Sequence, residues 1–365
     1  MGRAWLSLLA SGLIAGAAWL APPAAAQSAE LGTLVERAFA PGTDLGETRS
    51  LLVIHRGEPV FERHAPGFGP DTRQVSWSMA KSLTHALVGR LVEMGLVDSI
   101  DAPMPTPFPA GDPRGAITWR EWLTMTDGLD YTEIAEPGTE PPVAEQDVVQ
   151  MMYGPGRFDV AAWIASNLPA LHTPGERWNY STAGYHLVAR AAQEAMGTAG
   201  DPAATTAWLD ANLFGPLEMD PVAEYDAAGT LLGGSLVYAT ARDFARLGQL
   251  YLADGVWEGE RLLPEGWVEF ARTDHAPDDG VAVYGAGWWL MPEDADDARF
   301  DVGGPHDVFH AGGHEGQSIW VAPSEDLVVV RLGLMPNSPE SWRALYALNQ
   351  EIVRSFAAEG AAQGE

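Results

Sequence analysis

Two apolar runs near the end of the chain constrain its fold most. Ser318-Ile319-Trp320-Val321-Ala322 and Leu327-Val328-Val329-Val330-Arg331-Leu332 are separated by Pro323-Ser324-Glu325-Asp326, a set of turn formers. Short runs that are β-branched and apolar at successive positions predict a hairpin of central strands, covered on both faces. A second hairpin is expected far upstream, over Ser50–Glu62, with Gly57 supplying the turn at Arg56-Gly57-Glu58. One sheet built from both ends of the chain is the economical arrangement, with the middle of the sequence laid against it.

That middle has a different character. From about Ser99 to Thr230 it reads as helices and long loops rich in Pro and Gly, such as Pro103–Pro113 and Pro137–Pro142. Helices are expected over Trp119–Met125, Asp159–Ser166, Ala183–Met196 and Ala204–Leu213. Outside this stretch, helices are predicted around Leu31–Phe39, over Ala239–Leu252 with Phe244, Leu247 and Leu250 inward, and over Pro339–Ala357. A further strand is expected over Val283–Leu290. The fold class is therefore α+β: an antiparallel sheet flanked by helices, formed by 27–98 and 236–357, with an inserted helical domain at 99–235 and a disordered tail at 358–365.

Residues 1–26 read as a secretory signal, with Arg3 before an apolar run and Ala24-Ala25-Ala26 as a small-residue cleavage site. An uncleaved membrane anchor competes with that reading, but Pro22-Pro23 breaks the run, so no stable anchor is expected and a periplasmic location is. The formal charge of −29 excludes nucleic acid as a partner, and the lack of cysteine excludes a disulfide framework. Neither cofactor nor metal is expected.

The stretch Ser76-Trp77-Ser78-Met79-Ala80-Lys81-Ser82-Leu83 opens a helix whose inner stripe is Leu83, Leu87, Leu91 and Met94. Ser78 and Lys81 lie one turn apart, so an amine can reach a hydroxyl near the helix N-terminus, where free NH groups favour developing negative charge. Lys81 is the sole lysine among 21 basic residues. A chain that uses arginine everywhere else keeps here a cation that can lose its proton.

A serine nucleophile also needs a proton carrier and donors for the oxyanion. Tyr180, in Trp178-Asn179-Tyr180-Ser181-Thr182, is a candidate carrier whose pKa a neighbouring cation would lower. Phe309-His310-Ala311-Gly312-Gly313-His314-Glu315-Gly316-Gln317 leads into the Trp320 strand, and its paired glycines allow close approach of a substrate and a second oxyanion NH. His306, His310 and His314 recur every four residues, which would suit a metal on a helix, but the glycines and the following hairpin argue for extended chain.

Taken together, these three stretches resemble the serine β-lactamase and penicillin-binding family, nearest to its class C-like branch of esterases, D-stereospecific peptidases and 6-aminohexanoate-dimer hydrolases. Ser78-Met79-Ala80-Lys81 matches Ser-x-x-Lys; Tyr180-Ser181-Thr182 stands for Tyr-x-Asn and His310-Ala311-Gly312 for Lys-Thr-Gly or His-x-Gly. The stretches Thr118–Gly128 and Tyr284–Trp289 agree as well, over roughly residues 45–355. The resemblance implies that Ser78 is acylated, that Lys81 and Tyr180 share the acid and base work, and that the NH groups of Ser78 and Gly313 hold the oxyanion. It places Thr182, His310, Gly312 and Gln317 at the substrate. Because Thr182 and His310 depart from the β-lactamase residues, an ester or amide hydrolase is expected rather than an efficient β-lactamase. Specificity is expected in the loops about Tyr131–Tyr153 and in walls formed by Trp288 and Trp289. The rival readings are a β-lactamase or D,D-peptidase, a non-catalytic cell-wall-peptide binder of the same fold, and a metallohydrolase.

Overall fold

The structure is a computed structural model that describes residues 24–133, 141–277, 283–291 and 307–360. Its centre is a six-stranded antiparallel sheet: β1 (Glu47–His55), β2 (Glu58–His64), β3 (Trp289–Leu290), β4 (Phe309–Gly313), β5 (Gln317–Ala322) and β6 (Leu327–Leu334), in the order β2-β1-β6-β5-β4-β3. The two ends of the chain meet in the middle, where Leu52 pairs with Val330 and Val53 with Val329. Both expected hairpins are present. The first turns at Arg56 (φ 53°) and Gly57 (φ 79°), two successive left-handed residues whose twist matches the strands they join.

The two-residue period of each strand decides which face each side chain occupies. Leu52, Ile54, Ile319, Val321, Val328 and Val330 point into the larger core. Leu51, Val53, Trp320, Ala322, Leu327 and Val329 point into a second core. Helix α1 (Ala24–Ala38) and the last helix, α5 (Pro339–Gly360), cover that second face with Leu34, Val35, Leu345, Leu348 and Ile352. A one-residue slip of β6 would exchange the two sets, so burial on both faces locks its register.

On the larger core lie α2 (Ala80–Glu93), α3 (Thr182–Met196) and α4 (Ala241–Leu252). In α4 a reciprocal cap between Thr240 and Asp243 starts the helix, and Phe244, Leu247 and Leu250 are buried as expected. Gly248 lets α4 lie close on the sheet: a Cβ there would stand 2.6 Å from Val328 Cγ1. Between 99 and 235 the described residues are mainly short helices and loops, including Trp119–Leu123, Val160–Asn167 and Pro202–Leu209. Val222–Ala223 is an exception, pairing with Val237–Ala239, which in turn pairs with Gln74–Val75 just before the Ser76–Leu83 stretch.

Three expectations need correction. The segment Val283–Leu290 is a strand only at Trp289–Leu290, because the chain folds back at Gly287 (φ 74°) and Gly285 packs where a Cβ would lie 1.9 Å from the Ala271 carbonyl. Met94 is exposed, since α2 ends at Glu93. Helix α5 runs on to Gly360, past the expected start of a disordered tail, while 1–23, His306 and 361–365 lie outside the described residues.

Candidate active site

Ser78 sits in a single 3-10 turn, Trp77–Met79, that leads straight into α2. The turn is held from behind: Ser76 N donates to the Val237 carbonyl at 2.8 Å and Val237 N donates to Ser76 Oγ at 3.1 Å. Trp77 takes a left-handed conformation (φ 44°), uncommon for a bulky side chain. Ser78 is half-buried at the start of the helix, while Lys81, one turn on, is 1% exposed.

Lys81 Nζ lies 2.9 Å from Ser78 Oγ, 2.8 Å from Thr182 Oγ1 and 2.9 Å from the Gly234 carbonyl oxygen. The direction of these bonds is set by what each partner can do. The Gly234 carbonyl accepts. The Thr182 hydroxyl donates its own proton to Glu133 Oε1 at 2.8 Å, so towards Lys81 it too accepts. Two amine hydrogens are thereby committed, and the third position faces Ser78. As an ammonium Lys81 donates there; as a neutral amine it presents its lone pair to the Ser78 hydroxyl. Burial pushes the Lys81 pKa down to about 8, and the negative charge of Glu133 pulls in the opposite direction. The neutral amine is thus accessible near neutral pH.

Tyr180 stands on the residue before the Ser181 cap of α3, whose Oγ accepts the Gly184 NH at 2.9 Å. That cap places Tyr180 and Thr182 on either side of one helix start, both towards Lys81. The Tyr180 ring stacks on Trp289 at 5.5 Å, and Lys81 Nζ lies over its face, 4.8 Å from the centroid. The lowered phenol pKa expected from sequence is not found. Burial and then Glu133 raise it, and the hydrogen bond with Ser78 is the smaller, opposing influence. The cation meets the π face rather than the hydroxyl, so Tyr180 rests as a protonated donor.

Gly313 ends β4 against the nucleophile turn: a Cβ there would lie 2.3 Å from the Ser76 carbonyl oxygen and 3.3 Å from Trp77 Cβ. β3 pairs with β4 at His310 and Phe309, so Gly312 and Gly313 run beyond that pairing, with Gly312 beside Trp289.

Ser78, Lys81, Tyr180, Thr182 and Gly313 therefore converge, and two expected substrate residues do not. His310 pairs with Trp320 across β4 and β5, which puts it on the far face of the sheet. There it stacks on Trp320 and its Nε2 lies 2.7 Å from the Tyr346 hydroxyl of α5. Gln317 is buried and turns its amide to the Gly333 backbone, donating at 2.6 Å and accepting at 3.0 Å. Thr182 is fully buried between Lys81 and Glu133. Trp288 lies in the core against Tyr251, which leaves Trp289 as the aromatic wall. For the metal alternative, His310 and His314 lie on extended chain and a turn rather than one helix face, and no cluster of three or more His, Cys, Asp or Glu suited to a metal occurs among the described residues.

Glu133 and Gly234 escaped the sequence reading. Glu133 is one of 50 acidic residues, and a backbone carbonyl has no sequence signature. The stretch Gly128-Leu129-Asp130-Tyr131, which does carry a turn signal, ends two residues before Glu133, and the Tyr131 hydroxyl donates to Glu133 Oε2 at 3.0 Å.

Comparison with known proteins identifies the family. The family described as Beta-lactamase matches residues 45–351, and the chain belongs to that family of serine hydrolases acting on ester or amide bonds. A 6-aminohexanoate-dimer hydrolase of Paenarthrobacter ureafaciens is 27% identical over 315 residues, 82% of this chain and 76% of that protein. Among solved structures, a putative 6-aminohexanoate-dimer hydrolase from Bacillus anthracis superposes with a TM-score of 0.64 at 20% identity, covering 86% of this chain and 80% of the other. A penicillin-binding protein homologue from Caulobacter crescentus gives 0.64 at 17% identity, covering 91% and 98%. At these identities the structural matches speak for the fold.

Proposed function

We propose that this chain is a secreted hydrolase that cleaves an ester or amide bond through an acyl-enzyme on Ser78, in the manner of a 6-aminohexanoate-dimer hydrolase rather than an efficient β-lactamase. The observation that carries the proposal is the three-way commitment of Lys81, which leaves its lone pair for the Ser78 hydroxyl. Neutral Lys81 takes the Ser78 proton as Oγ attacks the substrate carbonyl. The NH groups of Ser78 and Gly313 stabilise the oxyanion. Tyr180, protonated at rest, donates to the leaving group as the tetrahedral intermediate collapses, and the phenolate this leaves has the Lys81 ammonium over its ring face. Water then enters and the same groups work in reverse to release the acid and restore Ser78.

The proposed substrate preference is supported by where two of the described residues lie. Thr182 is spent on Lys81 and Glu133, and His310 faces the opposite side of the sheet, so neither supplies the contacts that β-lactam recognition in this family implies. Trp289, stacked on Tyr180, offers an aromatic wall for an apolar acyl or alcohol group. Secretion rests on the signal-like residues 1–26.

Intact-mass spectrometry after exposure to a fluorophosphonate tests the mechanism, with p-nitrophenyl butyrate and nitrocefin turnover measured alongside. A single adduct on wild type that is absent from Ser78→Ala, with ester turnover dominant, is expected. A folded wild type with neither adduct nor turnover would favour a non-catalytic binder. Dominant nitrocefin turnover would favour a β-lactamase.

A further inference from the structure

Trp77 and Glu315 are both left-handed non-glycine residues, at φ 44° and φ 61°. Each adjoins one of the two backbone groups assigned to the oxyanion: Trp77 precedes Ser78, and Glu315 lies two residues after Gly313. Their side chains meet, with Trp77 Nε1 donating to Glu315 Oε2 at 3.1 Å. The His314 ring also meets the Trp77 indole edge-on at 5.6 Å.

Resting on the acyl-enzyme reading above, we infer that Glu315 is a positioning residue that aims the oxyanion NH of Ser78 through Trp77. The physical reason lies in the peptide plane between Trp77 and Ser78. The Ser78 NH belongs to that plane, so the torsions of Trp77 set the direction in which it points. A bulky residue in the left-handed region relaxes towards commoner torsions unless its surroundings hold it there. On the amino-terminal side Ser76 is held by Val237. For Trp77 itself, the backbone carbonyl accepts from Ser76 Oγ at 2.9 Å, and the side chain is tied to Glu315.

Glu315 is in turn well anchored. Its carbonyl and that of Gly316 accept from the buried Arg331 guanidinium at 3.1 and 2.9 Å, and its carbonyl also accepts the Met335 NH at 3.0 Å. The left-handed Glu315 backbone swings its carboxylate back over the nucleophile turn, while Gly313 packs against Ser76 two residues earlier. One side-chain bond therefore spans the two halves of the oxyanion site, keeping the donors at a constant separation. A positioning role of this kind acts on the transition state, where the oxyanion exists, and leaves ground-state binding alone.

The test compares Glu315→Ala, Glu315→Gln, Trp77→Phe and the double variant Glu315→Ala/Trp77→Phe by ester kinetics and by the affinity of phenylboronic acid, which forms a tetrahedral adduct on a serine nucleophile. Glu315→Ala and Trp77→Phe are expected to lose kcat tenfold or more with KM within twofold, and boronate affinity should fall in parallel. Glu315→Gln keeps an acceptor for the indole NH and should recover kcat to within about threefold of wild type. The double variant should be no worse than either single one. A change confined to KM, a Gln variant as poor as Ala, or additive losses would overturn the role. An active, Ser78-dependent wild type with an unimpaired Glu315→Ala counts against Glu315 alone, whereas an active Ser78→Ala counts against the acyl-enzyme itself.

Discussion

Glu133 reaches Lys81 through the hydroxyl of Thr182, which stands 2.8 Å from the carboxylate and 2.8 Å from the amine. This relay ties the acidity of the base to a carboxylate that never touches it. The kcat/KM of an ester is expected to rise with pH through about 8, as Lys81 loses its proton. Glu133 holds the Lys81 pKa up, so Glu133→Gln should move that rise to lower pH while weakening the hold on Thr182. A pH–rate profile of both proteins checks this, and a shift to higher pH in the variant would contradict it.

Gly313 has no room for a side chain against the Ser76 carbonyl. Gly313→Ala should push the end of β4 away from the nucleophile turn and cost turnover by about a hundredfold, the scale of losing one oxyanion donor. Circular dichroism and the melting temperature should change little, because the displacement is confined to the end of a strand. Turnover within threefold of wild type would show that the strand end can give way.

Arg331 is a fully buried guanidinium that donates to the carbonyls of Leu45, Glu47, Glu315 and Gly316. Burial, then the neighbouring Arg49, pushes its pKa down to about 10, so it remains charged at neutral pH. Arg331→Met would strip a donor from each of these carbonyls. At about 1–3 kcal/mol for each buried bond left unmade, a loss of about 3 kcal/mol or more in urea unfolding is expected. A loss below about 1 kcal/mol would mean the loops re-pair on their own.

His85 and His186 are buried, and burial pushes both pKa values down to about 3. His275 adds to this for His85, as does Lys81 for His186. In the unfolded chain such rings titrate near 6.5. Between pH 6.5 and 3 the unfolded state binds protons that the folded state refuses, so stability is full above 6.5 and falls as the pH drops. At pH 5 each ring should account for up to about 2 kcal/mol of the loss. Urea unfolding of His85→Phe at pH 7 and pH 5 should show a smaller difference than wild type; an equal difference would assign acid sensitivity elsewhere.

Much of the molecule could be read from local pattern. The two hairpins, the helix behind Ser78, the buried stripe of α4 and the pairing of Ser78 with Lys81 follow from short-range periodicity, turn chemistry and the offset of one helical turn, whereas the place of Tyr180 was implied by the family resemblance. His310 and Gln317 were misplaced because a motif says where a residue falls along a strand, while the pairing of that strand decides which face it points to. The Val283–Leu290 strand failed for a related reason: its glycines admit a fold-back that contact with Ala271 selects.

The sequence alone therefore determined the two hairpins and the one-turn offset that sets Lys81 beside Ser78, since each depends on residues close together in the chain. Tertiary structure decided the protonation states of Lys81 and Tyr180, the relay through Thr182 to Glu133 and the clasp of Trp77 by Glu315. Those depend on burial and on contacts between segments as much as 238 residues apart, and neither is encoded in local spacing.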